Sequence, residues 1–219
     1  MTRYSQVVPA IIPESREALL AYAKQLSFSR ELQLDLVDGK FVTSVSWPYE
    51  PQGDPMSVKS VLDAYTLEVD LMVAEPLPAA REWIKAGADM LVFHIETVAL
   101  EAFAAFAEAT PVSLGVSAHG DTPLSKLIEY AKYADYIQLM GIYEIGAQGL
   151  PFDEAVLDKV RELKQVFPDM MISVDGSVNK TTIARLQAAG VDRFICGSAI
   201  VRQDDPKQAH QDLEALING

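Results

Sequence analysis

A single (β/α)8 barrel is the fold class predicted for this 219-residue chain, and three observations predict it. Eight short apolar segments of strand character alternate with eight segments of helical character, at a spacing of roughly 20 to 30 residues, the βα rhythm of a parallel sheet. No composition shift or linker divides the chain, so the rhythm belongs to one domain, residues 1–219. An open doubly wound sheet shares that rhythm but opens on a glycine-rich first βα turn, and Pro9-Ala10-Ile11-Ile12-Pro13 is nothing of the kind.

The elements follow in order. Residues 7–12 are a short apolar strand stopped by Pro13, and Ser15 can cap a helix that runs to about Leu26. The second strand opens the run LQLDLVDGKF at residues 32–41, where Gln33 and Asp35 fall on one face and the leucines on the other. Asp38-Gly39 breaks it with turn chemistry. Residues 38–56 form the longest irregular segment, and so long a loop in a compact domain is usually a lid or a wall of a site. A brief helix at residues 57–64 leads to a third strand at 67–73, again with an acid, Asp70, inside it.

The second half repeats the pattern. Helices are expected at residues 78–86 (ended by Gly87), 100–109, 123–133, 153–167, 181–189 (closed by Gly190) and 205–217. Strands are expected at residues 90–94, 112–116, 136–140, 171–174 and 194–196. His210 falls in the last helix on a face that reads as exposed.

Composition narrows the function. With 49% hydrophobic residues and a mean hydropathy of +0.10 the chain can bury a sizeable core. A net charge of −13 and a pI near 4.6 argue against nucleic acid and anionic membranes as partners, since both require a basic surface. The single cysteine, Cys196, excludes an internal disulfide and fits a reducing compartment. The N-terminal residues are too weakly apolar for a signal peptide and no stretch reaches membrane-spanning length, so a cytoplasmic location is expected.

In a barrel of this type the site is built at the C-terminal ends of the strands. That rule picks out Asp35 and Asp38, Asp70 and Met72, His94 and Glu96, Ser117 and His119, Met140, Asp175, and Gly197 with Ser198. Asp35 and Asp175 stand three strands apart around the ring and would face each other across the mouth. Asp-Gly pairs often do no more than end strands, but Asp35 precedes its turn inside an apolar run, where an unpaired buried carboxylate is costly. Glycine-bearing turns after strands six to eight (Gly146 to Gly149, Gly176-Ser177, Gly197-Ser198) are candidates to hold a phosphate through backbone amides. Gly115 to His119 resembles a nucleophile elbow but lacks its closing glycine, and the three histidines show no metal-ligand spacing.

These residues together carry a family resemblance that spans nearly the whole chain. The run D-x-x-D-G-x-F-V at residues 35–42, L-M-V-x-x-P ending at Pro76, A-G-A-D at 86–89, H-x-E at 94–96, T-P-L at 122–124, V-D-G-S-V-N at 174–179 and G-S-A-I at 197–200 resemble the ribulose-phosphate 3-epimerase family in order and spacing. The resemblance implies a phosphate-binding barrel that epimerises a small sugar phosphate. It implies Asp35 and Asp175 as the acid/base pair and Met72 and Met140 around the intermediate, with Gly146, Gly176, Ser177, Gly197 and Ser198 toward the phosphate; His94, at the end of the fourth strand, is either part of the site wall or a structural histidine with a buried partner. A homo-oligomer is the expected assembly.

The resemblance also implies a divalent metal held by two histidines and the two aspartates, and here the chain departs from it. Gln33 and Asp70 stand in the histidine positions, Ala10 replaces the serine of the opening strand, and Val37 replaces the methionine before the turn. Gln33, Asp35, Asp70 and Asp175 make an all-oxygen set, which suits Mg²⁺ or Mn²⁺ better than Zn²⁺. The alternative is a site that has lost its metal. Two other functions stay open: a barrel that binds a phosphorylated ligand without turnover, and an aldolase or synthase, for which Lys40 is the one lysine near the second strand.

Overall fold

The computed structural model describes residues 6–146 and 149–218. Eight parallel strands close into a barrel in sequence order: β1 (Val7–Ile11), β2 (Glu31–Val37), β3 (Thr66–Met72), β4 (Met90–His94), β5 (Ser113–Ser117), β6 (Tyr136–Met140), β7 (Met171–Asp175) and β8 (Arg193–Cys196). The closing contact pairs Val7, Val8 and Pro9 with Phe194, Ile195 and Cys196. Outside the barrel run α1 (Arg16–Gln25), α2 (Lys59–Leu62), α3 (Pro76–Ala86), α4 (Leu100–Ala109), α5 (Leu124–Ala131), α6 (Ala155–Val166), α7 (Ile183–Ala189), α8 (Ser198–Val201) and α9 (Pro206–Asn218).

The expected helix ends are present. Ser15 accepts the Ala18 amide at 3.0 Å and starts α1. Gly87 and Gly190 close α3 and α7 in the left-handed conformation. The helix expected at residues 57–64 is a 3-10 turn (Pro55–Val58) followed by the single turn α2. α8 is an added turn between β8 and the last helix, built directly on the Gly197-Ser198 segment. His210 is buried, not exposed, and its Nε2 lies 3.0 Å from the Val7 carbonyl, because α9 packs back on the start of β1.

Strand alternation divides the core in two. Leu32, Leu34 and Leu36 of β2 and Leu67, Val69 and Leu71 of β3 face the helices and join the main apolar cluster. Burying each such side chain stabilises the fold by about 1.5–3 kcal/mol. The alternate residues point into the barrel, and there the chain is unusually polar: Glu31, Gln33, Asp35, Glu68, Asp70, His94, Ser117, Gln138, Ser173, Asp175 and Arg193 are all buried. At the lower end Arg193 forms ion pairs with Glu68 (2.6 Å) and Glu31 (3.1 Å), and the Tyr136 hydroxyl donates to Glu68 at 2.6 Å. Gly115 is needed at this level because any side chain there would run into the Tyr136 ring.

A repeated device sets the lower turns. Asp89, Asp135 and Asp192, each just before an even-numbered strand, accept the amides of Leu67, Leu114 and Ile172 at 2.8–2.9 Å. Each carboxylate thereby ties one helix-to-strand turn to the preceding strand. This holds the strand register on which the site above depends.

Candidate active site

The mouth of the barrel holds a cavity of about 380 Å³. Asp35, two residues before the end of β2, and Asp175, the last residue of β7, both line it. Met72, Met140 and Ile142 supply apolar wall, and Gly176, Ser177, Gly197 and Ser198 line the β7–β8 side. Gly146 and Gly149 line it from the β6 loop, whose Ala147 and Gln148 lie outside the described residues. The long β2 loop closes one side as expected of a wall: Val42 packs with Val37, Met72, Met140, Ile142 and Ile145, and Ser44 Oγ donates to the Gly146 carbonyl.

Gly176 is a residue that the geometry requires. Its φ is +97°, and a Cβ there would sit 2.7 Å from Ile142 Cγ1. Ser177 follows with φ +52°, a conformation rare outside glycine, and its hydroxyl donates to the Leu150 carbonyl. In α8 the Ile200 and Val201 amides bond back to the Gly197 carbonyl at 3.0 and 2.9 Å. The Ser198 and Ala199 amides have no acceptor within that turn, and they border the cavity.

Below the cavity lies a third carboxylate. Oxygens of Asp35, Asp70 and Asp175 all lie within 4.8 Å of one another. Asp70 is fully buried, with Oδ1 3.0 Å from His94 Nε2 and Oδ2 accepting Gln138 Nε2 at 2.8 Å. Gln33 Nε2 donates to Asp35 Oδ1 at 3.0 Å, while Gln33 Oε1 is buried with no partner among the described residues. His94 therefore does not wall the cavity. It sits a layer deeper, against Asp70, with the Phe41 ring packed on it at 5.3 Å.

Burial and mutual repulsion dominate the electrostatics. Burial raises Asp35 well above its ordinary value, and the charges of Asp175 and Asp70 raise it further. Burial, then Asp70, raises Asp175 to about 7, against a lowering bond from the Gly176 amide. Two carboxyls that cannot both ionise freely at neutral pH are suited to one acid and one base. The donor set also fits a hard cation: three carboxylates converge, all donors are oxygen, and an orphaned amide oxygen lies buried beside them.

Several of these residues were not singled out in the sequence. Gln138 and Arg193 interrupt apolar strands at inward positions, and that interruption was the available signal. Asp38, which the strand-end rule also picks out, serves the expected turn: its Oδ1 accepts the Lys40 and Phe41 amides and its Oδ2 the Ala74 amide. Glu96 likewise accepts the His119 amide at 2.9 Å and braces the β5 loop. Cys196 is buried, and burial pushes its thiol up, as fits an inert core residue.

A closed (β/α)8 barrel whose mouth carries two buried carboxyls beside glycine turns on β7 and β8 defines the class to which this chain belongs. Residues 6–201 match the ribulose-phosphate 3 epimerase family, and the chain belongs to that family. It is 30% identical to the ribulose-phosphate 3-epimerase of Mycobacterium tuberculosis, covering 93% of this chain and 89% of that protein. It is also 30% identical to the enzyme of the same name from Bacillus subtilis, covering 83% and 84%. A solved 3-hexulose-6-phosphate synthase shares the fold at a TM-score of 0.70 and 23% identity, over 97% of this chain and 100% of that one.

Proposed function

We propose that this chain is a sugar-phosphate 3-epimerase that inverts the carbon next to the carbonyl of a small ketose phosphate, with Asp35 and Asp175 as its acid/base pair. The observation that supports the reading is that these two carboxyls, from strands three apart around the ring, line one cavity with oxygens within 4.8 Å of each other, together with the Gly176-Ser177 and Gly197-Ser198 turns. Inversion requires one carboxylate to take the proton from one face of the carbon. The other carboxylic acid then returns a proton to the opposite face of the resulting enediolate. For the reverse reaction the two exchange roles. Met72 and Met140 exclude water around the planar intermediate, and the backbone amides at Ser198 and Ala199 hold the phosphate.

Asp35, Asp70, Asp175 and the Gln33 amide oxygen would hold a divalent ion, Mg²⁺ or Mn²⁺ in preference to Zn²⁺. When bound, such an ion supplies positive charge against the developing enediolate oxygens. Whether or not it is loaded, His94 and Gln138 orient Asp70, and Gln33 orients Asp35. The aldolase or synthase alternative is disfavoured because, among the described residues, no lysine lines the cavity. Binding without turnover keeps one observation in its favour, the replacement of both expected histidines by Gln33 and Asp70.

A coupled assay over a panel of ketose phosphates, with and without Mg²⁺, Mn²⁺ and Zn²⁺, tests the reading. Asp35→Asn and Asp175→Asn should each reduce exchange of the substrate α-proton with deuterated solvent by ~10²–10⁴-fold. Near wild-type exchange in both variants would remove the catalytic assignment. A wild type that exchanges no proton with any ketose phosphate would put the binding-only reading first.

The reading carries with it a homo-oligomer working in the cytoplasm. Among the described residues no helix is long and apolar enough to cross a membrane. Sedimentation and cell fractionation address both points.

A further inference from the structure

We infer that Arg202 is a side-chain anchor for the anionic group of the ligand, closing over the outer side of the phosphate that the β7 and β8 turns hold from within. The inference rests on the phosphate arm of the proposed function and adds to it a residue outside every motif that suggested that function.

Among the described residues Arg202 is the one cationic residue lining the mouth cavity, which otherwise carries the carboxyls of Asp35 and Asp175. It directly follows α8, the turn built on Gly197-Ser198. Ser198 and Arg202 are four residues apart, so they lie one above the other on the same side of that turn. Ala199 and Gln203 are related in the same way, and all four residues line the cavity. Side chains on a helical turn lean toward its N-terminus, which carries the Arg202 guanidinium back over the Ser198 and Ala199 amides.

The surroundings leave this guanidinium available. No ion pair or hydrogen bond engages its side chain among the described residues, whereas Arg16, Arg161, Arg185 and Arg193 are all paired. Of the two acids that follow, Asp204 and Asp205, neither forms an ion pair with it among the described residues, and Asp205 accepts the Gln208 amide at 3.0 Å. Gln203 Nε2 donates to the Ser198 carbonyl at 3.2 Å and pins the turn in place.

The chemistry requires such a group. A phosphate dianion must enter a chain of net charge −13 and settle near two carboxyls. Backbone amides supply dipoles but no net charge, and a guanidinium supplies both charge and a two-pronged donor matched to phosphate oxygens. At the rim of the cavity it also attracts the anion during approach, an effect that salt screens.

Calorimetric titration of the full chain with inorganic phosphate and with D-ribose 5-phosphate tests the inference, at low and at physiological ionic strength. Arg202→Gln should raise both Kd values about tenfold, equivalent to 1.4 kcal/mol. Arg202→Glu should raise them further, Arg202→Lys should recover part of the loss, and the salt dependence should flatten in Arg202→Gln. Arg161→Gln, an exposed arginine on α6 away from the cavity, is the control and should change neither Kd. If the wild type binds both probes and Arg202→Gln and Arg202→Glu bind them equally well, the inference falls while the phosphate site stands. If the wild type binds neither probe, the phosphate arm of the function falls and the inference with it. Binding lost in Arg202→Gln alongside a wild type that turns over no ketose phosphate would uphold the anchor and remove only the epimerase reading.

Discussion

Replacing Asp175 by asparagine should remove activity and, above neutral pH, make the protein more stable. Burial first, and then the Asp70 carboxylate, raise the Asp175 carboxyl from 3.8 to about 7. The folded protein therefore keeps a proton that the unfolded chain has released across that interval. Where the folded state binds more protons, stability falls as pH rises, and the loss is complete above the folded value. Each pH unit of the interval is worth ~1.4 kcal/mol, so the full penalty approaches roughly 4 kcal/mol at pH 8. Asparagine has the same shape without the charge, and its Oδ1 can keep the Gly176 amide bond. Asp35 gains as well, because the charge of Asp175 is one of the causes that raise it.

Urea unfolding of wild type and Asp175→Asn in EDTA, at pH 4, 6 and 8, measures this. The difference should be near zero at pH 4, grow through pH 6 and level off by pH 8. For a chain of this size a stabilisation of 1 kcal/mol corresponds to about 2–4 °C in Tm. Added Mg²⁺ or Mn²⁺ should stabilise the wild type and narrow the gap, since a ligand that binds only the folded state adds its own free energy. A variant that is less stable than wild type at pH 8, or a difference that does not change with pH, would refute the reasoning.

Three further outcomes follow from the same geometry. Gly176→Ala forces a Cβ to within 2.7 Å of Ile142 at a left-handed φ, so calorimetry should show phosphate affinity reduced by at least tenfold. Arg193→Met leaves Glu31 and Glu68 buried without their guanidinium, which should destabilise the fold by about 3–5 kcal/mol; denaturant unfolding reads it, and Glu31→Gln with Glu68→Gln in the same chain should recover much of the loss. Titration with Mg²⁺, Mn²⁺ and Zn²⁺ should show the first two preferred and binding weakened at least tenfold in Asp70→Ala; tight zinc binding that ignores Asp70 would exclude the all-oxygen site.

The barrel was legible because its signals are local. Strand alternation in LQLDLV, helix-closing glycines at 87 and 190, and a cap at Ser15 each act within a few residues, and each is found where expected. The cavity-lining pair was legible for a related reason. Alternation with the leucines shows that Asp35 faces inward, and an inward carboxyl near the C-terminal end of a barrel strand lies toward the mouth, so Asp35 and Asp175 needed no knowledge of register. The layer beneath was not legible. That Asp70 of β3 meets Gln138 of β6 depends on the stagger around half the ring, and the choice for His94 between site wall and structural partner could not be made from the sequence for the same reason. His210 was misplaced because its burial comes from β1, some two hundred residues away in the chain. Arg202 was passed over because it follows its motif by one helical turn, and α8 was not expected.

The buried layers explain why the replacements at Gln33 and Asp70 alter the site without emptying it of purpose. At the base of the barrel one guanidinium balances two glutamates. In the middle Asp70 is held by an imidazole and an amide, and Asp35 by the Gln33 amide. A histidine at position 33 or 70 would bring neutral nitrogen donors to this level. The chain instead has an amide and a further carboxylate there, so the mouth carries more negative charge directly below an anionic ligand. Such a layer persists only with a compensating cation or with retained protons. The structure provides for both: converging oxygens suited to a hard ion, and burial that raises Asp35 well above its ordinary value and Asp175 to about 7. Arg202 lines the same cavity beside the β8 turn, where we propose that it meets the ligand's phosphate. On that proposal the altered donor set and the arginine belong to one electrostatic arrangement, with positive charge offered to the anionic group and hydrogen-bonded carboxyls to the reacting carbon.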